Sequence, residues 1–495
     1  MRFLTKKIEE NSSDVIVSFI FEDYKNKSEV FSYLNNLSNG ELEKQIYHYK
    51  TIKGSLAETF KYSINENKKT IIAGLGKKEK LTRQKFSQCV ASAARLAKSI
   101  AGVKSIAFEL IENKNNCNCE YSNFSKKEAA QIIFTGARIG LYEFDKYITD
   151  KKNTIETIEI IDNELTPDIE YGAQVGAYTS FAMKFAKDLI NESAQIVTPS
   201  YIATLAGEIA KEHKLEAKIF SKNQIREMGM NAFLAVGQGS ANEPKFIHLT
   251  YKSKNNPRKK IALIGKGITF DAGGLDIKPA TSMLTMKTDM SGAASVLGII
   301  QAIAKIEPDI ELHVISALCE NMPSGTAYKQ GDVLTAKNGK TIEVDNTDAE
   351  GRITLADALC YADTLGVDEV IDIATLTGAV IVALGHNITG IMGNNQKQID
   401  KFIEISKLSG ENTWQMPILE EMKDNLKSEI ADMKNTGGRN AGTSCAAWFL
   451  SNFTKSNSWL HIDIAGTAAP EKSNKETLGG PTGVMIRTLI NYLIS

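Results

Sequence analysis

Apolar positions along this chain fall into two rhythms. Over residues 1 to about 165, short runs such as Val15-Ile16-Val17, Thr70-Ile71-Ile72-Ala73 and Ser105-Ile106-Ala107-Phe108 alternate with helical-period stretches such as Ser87 to Ile100. The alternation predicts a small α/β domain over 1–165. Ile71-Ile72-Ala73-Gly74-Leu75-Gly76 predicts a strand ending in a tight turn; a lone Gly-x-Gly is a weak signal for phosphate. Polar, Asn-rich residues 112–125 predict a loop, with Cys117-Asn118-Cys119 on its surface rather than in a metal clip. Charges near 150–170 and Leu165-Thr166-Pro167 mark a boundary, and the apolar pattern from Ile169 to Leu189 predicts a connecting helix over 166–190.

Over 191–495 the rhythm becomes strand, turn and helix, repeated. Ile261-Ala262-Leu263-Ile264, Leu312 to Leu318 and Val370-Ile371-Asp372-Ile373-Ala374 predict strands; helices follow at about 290–306 and 350–365, the second stopped by Gly366. Strands rich in β-branched residues and separated by helices predict a mostly parallel sheet covered on both faces. In such sheets a site forms outside the carboxyl ends of the strands. Lys266 and Asp271 follow the first of these strands, and Thr375-Leu376-Thr377-Gly378 follows the third. Ile373 to Gly393 is the only stretch resembling a membrane span. Its most apolar part, between Asp372 and His386, is too short to cross a bilayer and predicts a buried strand with its following loop or helix.

Composition narrows the classes of function. The chain has 495 residues, a length that predicts two domains, and its 42% hydrophobic and 24% charged residues are those of a globular protein. Lys+Arg number 58 against 59 Asp+Glu, which gives no support to nucleic acid or an anionic membrane as a partner. The N-terminus lacks the apolar core of a signal peptide, and six cysteines without framework spacing suit a reducing cytoplasm.

Candidate chemistry concentrates in two places. Asn346-Thr347-Asp348-Ala349-Glu350-Gly351-Arg352 puts two carboxylates and a guanidinium just before a helical pattern. Earlier stands Gly265-Lys266-Gly267-Ile268-Thr269-Phe270-Asp271-Ala272-Gly273-Gly274, followed by Lys278 and Asp289. Singly, each acid has a bland role: Asp289, Asp348 and Glu350 as helix caps, Asp271 as the brace of a Gly-rich turn. Jointly, four acids and two lysines after strands are the parts of a carboxylate-rich site for two divalent cations, and so of a two-metal hydrolase. Lys266 would bind metal only as a neutral amine, requiring its pKa to fall by about three units from roughly 10.4, a cost of about 4 kcal/mol. An adjacent dication and burial can supply that.

Other schemes find little footing. There is no His-Glu-x-x-His or Gly-x-Ser-x-Gly, and Ser444 in Gly442-Thr443-Ser444-Cys445-Ala446 is expected to pack or cap. None of the six histidines is expected to cluster with another. His461-Ile462-Asp463 has ligand spacing but alternates with Leu460, Ile462 and Ile464 as the second face of a strand. A two-metal phosphoesterase, with the lysines and Arg352 on phosphate, remains a rival, and a DNA-binding role a more distant one.

At these residues the chain resembles the leucyl aminopeptidase (cytosol aminopeptidase) family of two-zinc metallopeptidases. The octapeptide Asn346 to Ile353 is close to the family signature. The likeness extends through Asp188-Leu189-Ile190-Asn191-Glu192, Ala235 to Ser240, Glu320 to Gly325, Ala431 to Asn435 and Asp463 to Thr467, and so covers about 185 to 490. In the first domain it rests mainly on Gly74 to Glu79. The resemblance implies a macro-like N-terminal α/β domain, a larger catalytic α/β domain, and a hexamer built as a dimer of trimers that acts on peptides. It implies Lys266, Asp271, Asp289 and Glu350 as ligands of a tightly held cation, and Asp271, Asp348 and Glu350 as ligands of an exchangeable one. The ions would be Zn²⁺ or Mn²⁺, with Mn²⁺, Mg²⁺ or Co²⁺ at the exchangeable position. Lys278 would polarise the scissile carbonyl, and Arg352 would hold a bicarbonate that serves as base. Met286, Thr375 and Gly378 would line the pocket for the N-terminal side chain. Two departures stand out: Lys329-Gln330-Gly331-Asp332 replaces an expected Arg-Pro-Gly-Asp, altering a turn, and Ala469 stands where bacterial relatives often have Trp.

Overall fold

The computed structural model describes residues 1–22, 28–65, 68–114, 123–150, 153–470, 472, 476 and 479–495. Cys117-Asn118-Cys119 lies outside the described residues; on either side, Asn113 and Phe124 pair as an isolated antiparallel bridge. Two compact units divide the chain. One holds residues 1–184 with short later segments at 408–410 and 472–479, and the other holds the remainder. The helix Pro167–Asn191 covers the expected connecting helix, and the division falls within it, after Lys184.

The first unit is built on a six-stranded sheet, in the order Arg2–Lys6, Thr157–Ile161, Ser105–Glu109, Val15–Ile20, Lys69–Gly74, Thr59–Ser63. All neighbours are parallel except the last pair. Strand period two explains why both faces are apolar. Val15, Val17 and Phe19 join one core with Phe86, Val90 and Ile133 of the Arg83–Lys98 and Lys126–Leu141 helices. Ile16 and Ile20 join the opposite core with Val30, Phe31 and Leu34 of the Glu29–Leu37 helix. The Lys126–Leu141 helix starts from a capping box between Ser125 and Glu128.

The second unit carries a nine-stranded sheet. Trp459–Asp463, Glu369–Ala374, Lys260–Gly265 and Glu311–Asn321 form its parallel centre. Thr389–Gly393 and Lys245–Lys252 join this centre antiparallel, one on each side. Gly267–Asp271 continues beside the far end of Glu311–Asn321, with Asp271 in register with Asn321. The three predicted strands and both predicted helices are present, as Ser291–Ile306 and as Glu350–Ala362 with a 3-10 turn to Leu365. Ala262, Ile264 and Ile315 share a core with Ile353, Ala356 and Leu359, so the inner face of the second helix is anchored on the sheet centre.

Ile373 to Gly393 resolves into a strand end, the short helix Gly378–Leu384 and the strand Thr389–Gly393. Among the described residues, the helical run long and apolar enough to cross a membrane is instead Met286–Ile306, and 78% of its most apolar window is buried. It is a core helix packed on the Lys260–Gly265 and Glu311–Asn321 strands. Against the expectation that no histidine clusters with another, antiparallel pairing joins two that are far apart in sequence: His248 Nε2 lies 2.9 Å from His313 Nδ1. Tyr361 and Glu311 complete this buried polar chain, and burial, with His313 beside it, pushes His248 down to about 3.

Candidate active site

Lys266 occupies the break between two strands, where its side chain is buried against three partners. Its Nζ lies 2.9 Å from Asp289 Oδ1, 2.8 Å from Glu350 Oε1 and 2.9 Å from the carbonyl oxygen of Thr375. Asp289 follows a 3-10 turn, Met286–Thr288, and also accepts from Thr375 Oγ1 at 2.7 Å. The capping roles open to these acids are not the ones they take. Met290 and Ala349 occupy the N-cap positions of the two helices, neither with a side-chain cap bond.

Lys278 gathers the other pair of acids: its Nζ is 2.8 Å from Asp271 Oδ2 and 2.5 Å from Asp348 Oδ1. Asp271 Oδ1 accepts from the Gly273 amide at 2.8 Å and from Asn321 Nδ2 at 2.9 Å. Gly273 has φ +88°, and a Cβ there would stand 2.9 Å from Asp348 Oδ1, so glycine is required for the turn and for the approach of the carboxylate.

The electrostatics are those of an over-charged cluster. Four carboxylates face two ammonium groups, a formal surplus of two negative charges in a buried place. Burial, and next the Glu350 charge, raise Asp271 to about 6. Burial also raises Asp289 and Asp348, in spite of the lysines. For Glu350, burial pushes upward, but Lys266 and Lys278 outweigh it and hold the carboxyl below its usual range. Burial pushes Lys266 downward, but Asp289, Glu350 and Asp271 overcome it and keep the ammonium charged. Ligation through its amine requires the opposite shift, which a cation in the same cluster would provide.

The donor set fits divalent cations. Among the described residues, Asp289 Oδ2 and Glu350 Oε2 are buried with no hydrogen-bond partner, an arrangement that is costly unless a cation meets them. Carboxylate oxygens of Asp271, Asp348 and Glu350 lie within 4.8 Å of one another. Oxygen ligands at this spacing suit hard or borderline ions.

A cleft of about 850 Å³ opens beside the cluster, lined by Asp348, Arg352, Leu376, Gly378, Val382 and Met416 among others. Arg352, on the first turn of the Glu350–Ala362 helix, is buried and donates from Nη1 to the Asn435 carbonyl at 2.9 Å. Of the three expected pocket positions, Gly378 lines this cleft. Thr375 lies at Asp289, and Met286 begins the turn leading to Asp289, outside the cleft lining.

Residues 184–490 match the family described as "Cytosol aminopeptidase family, catalytic domain", and residues 17–151 its N-terminal domain. The chain belongs to the cytosol aminopeptidase family. It is a metal-dependent aminopeptidase, a peptidase among the hydrolases. A protein of Nostoc punctiforme named "Probable cytosol aminopeptidase" is 40% identical over 99% of this chain and 98% of its own length. One of the same name from Aquifex aeolicus is 43% identical over 86% of this chain and 84% of its own. Among solved structures, a mutant tomato leucine aminopeptidase matches with a TM-score of 0.87 at 34% identity, covering 100% of this chain and 96% of that one. The bottromycin maturation enzyme BotP, in complex with Mn, matches at 0.84 and 28% identity, covering 98% and 99%.

Several residues that hold this aminopeptidase site together lie in the segments that carry the family likeness, yet are not among the expected site residues. Asn321 donates to Asp271 and to the Thr347 carbonyl. Asn435 accepts at Oδ1 from the Asp345 and Asn346 amides and donates to the Asn346 carbonyl. Asp463 accepts from Leu376 N at 3.1 Å and Thr377 Oγ1 at 2.7 Å, setting the cleft wall. Its neighbour His461 bonds Asp372 in the core of the sheet, as the second face of a strand. Strand-end position was the available signal for Asn321 and Asp463. The Lys329–Asp332 segment is a turn, and Gln330 also donates to Asp276 at 2.6 Å, which in turn accepts from the Thr347 amide. Ser444 lies in the first turn of the Gly442–Ser451 helix and does not cap it.

Proposed function

We propose that this aminopeptidase releases N-terminal residues, leucine and other apolar ones first, from peptides in the cytoplasm, using two divalent cations per subunit. The observation that supports this reading is the convergence of Asp271, Asp289, Asp348 and Glu350 on two lysines, with buried carboxylate oxygens left unpartnered. Lys266, Asp271, Asp289 and Glu350 would hold a tight ion, Zn²⁺ or Mn²⁺. Asp271, Asp348 and Glu350 would hold an exchangeable one, Mn²⁺, Mg²⁺ or Co²⁺. Bound there, the cations supply a water of lowered pKa and polarise the scissile carbonyl.

The remaining work falls to side chains. The Lys278 ammonium, kept charged by the carboxylates around it, stabilises the oxyanion that develops on the substrate. Arg352, with a buried Nε unused, holds bicarbonate as the base. Gly378 on the cleft wall would bound the pocket for the N-terminal side chain, and the family resemblance adds Met286 and Thr375, which stand outside the cleft lining beside Asp289. Burying a large apolar side chain there favours it by roughly 1.5–3 kcal/mol. A homohexamer, a dimer of trimers, is part of the proposal and rests on the family resemblance.

Stripped protein refilled singly with Zn²⁺, Mn²⁺, Co²⁺ or Mg²⁺ tests the reading. Leu-Gly-Gly should lose leucine, and N-acetyl-Leu-Gly-Gly should be inert, because a free amine is needed as a ligand. Cleavage of the acetylated peptide at a comparable rate, or turnover of p-nitrophenyl phosphate instead of peptide, would overturn it.

A further inference from the structure

The strand Trp459–Asp463 turns Trp459, His461 and Asp463 to one face of the sheet, alternating with the apolar Leu460 and Ile462. Trp459 shares a core with Ile353, Ala356 and Leu359, so this is the face covered by the helix that carries Arg352 in its first turn. Parallel register sets Asp372 of the neighbouring strand opposite His461. Asp372, His461 and Asp463 are all buried.

Their charges alternate. Asp372 accepts from His461 Nδ1 at 2.5 Å and from Trp459 Nε1 at 2.8 Å. Asp463, two residues along the strand, accepts from the Leu376 and Ala465 amides and from Thr377 Oγ1. Burial pushes the His461 ring downward, but Asp372 and then Asp463 outweigh it and hold the imidazole above its usual value. Burial also pushes Arg352 downward, and there the charges of Glu350 and Asp463 oppose it. The order through the core is thus carboxylate, imidazolium, carboxylate, guanidinium, and the last of these lines the cleft.

Packing alone does not account for His461. Among the described residues its Nε2 is buried with no hydrogen-bond partner, a cost that apolar side chains would avoid. A buried ion pair is often no more stabilising than apolar residues of the same volume. What this pair supplies is a fixed positive charge behind Asp463.

We propose that His461, held by Asp372, is a positioning residue for Arg352: it keeps the Asp463 carboxylate between two cations and so sets where the guanidinium stands at the cleft. The inference rests on the role given above to Arg352 in the aminopeptidase reaction. Without the imidazolium, Asp463 has one cation left to attract, and Arg352 is drawn inward, away from the substrate.

The experiment measures kcat and KM for leucine p-nitroanilide in bicarbonate buffer, together with bound metal and thermal melting. It compares the metal-loaded wild type, His461→Gln, Arg352→Ala and the double variant. His461→Gln should lower kcat by about fivefold, and by no more than Arg352→Ala does, with both cations retained. Its KM should stay within about twofold of wild type. In the Arg352→Ala background the same substitution should change kcat by less than about twofold, because a residue that acts through another then has nothing to act on. If His461→Gln does not fold, Asp372→Asn, which keeps the ring but weakens its hold, is put through the same cycle and should show the same dependence on Arg352. Equal losses in the two backgrounds overturn the inference, as does an undiminished kcat in folded His461→Gln. Arg352→Ala with full kcat overturns the role of Arg352 and this inference with it, while leaving the aminopeptidase intact. A wild type that releases no leucine overturns the aminopeptidase reading itself.

Discussion

A Cβ placed on Gly351 would stand 2.6 Å from the Lys266 ammonium, so the helix that begins at Glu350 is bare where it meets that side chain. Helix and lysine are thereby brought close enough for Lys266 to bridge Glu350 and Asp289. A methyl at this point has one easy way out, which is to displace the end of the lysine.

Gly351→Ala should therefore separate activity from stability. Helix propensity favours Ala over Gly by up to about 1 kcal/mol, so the melting temperature should hold or rise. Displacing Lys266 by several tenths of an ångström should lower kcat/KM by about tenfold or more, with weaker metal retention. Thermal melting, metal analysis and kinetics on one preparation decide it; unchanged kinetics would remove Lys266 from the site.

Asp271 and Glu350 are each expected to serve two ions. Asp271→Ala and Glu350→Ala should abolish activity and lower bound metal, whereas Asp348→Ala should mainly empty the exchangeable position. Two ions still bound to Asp271→Ala would show the ligand set to be wrong.

Lys278→Ala removes a charge from the reacting carbonyl without removing a carboxylate. Its kcat should fall by about a hundredfold, judged from the loss of single oxyanion donors, with metal content preserved. A fully metallated variant with near-normal kcat would count against the role.

Asp357 offers a pH test away from the metal cluster. Its oxygens accept from the Phe233 and Lys337 amides at 2.8 and 2.7 Å, while burial pushes the carboxyl up to about 7. A carboxyl raised on folding binds more protons in the native state between its unfolded pKa, about 3.9, and about 7. Its contribution is thus most favourable at low pH and is lost as pH rises toward 7. Asp357→Asn, which sets an amide donor against a backbone donor, should cost about 1–3 kcal/mol. The difference from wild type should be greatest at about pH 4 and shrink steadily toward pH 7 in chemical denaturation; a difference independent of pH would contradict the shift.

The order of strands and helices was written in the chain because apolar periodicity is local. A run such as Ile261 to Ile264 needs only its own neighbours to declare a buried strand, and the rule for parallel sheets then puts Lys266 and Asp271 at a site-forming end. The family motif around Asp348, Glu350 and Arg352 marked the chemistry. What the sequence could not show is which groups meet. Lys266 bonds a carbonyl 109 residues away, and Asn435 reaches Arg352 over 83. His248 and His313 touch only because two antiparallel strands align them. Asp289 and Glu350 carry ordinary helix-start signals, yet both turn to Lys266 instead of the helix amides. Such choices depend on sheet order, on burial and on the removal of competing water. Sequence by itself determined the elements, the family and the acids available; packing alone decided the partners, because a charge taken out of water must find its counter-charge among whatever the fold brings within reach.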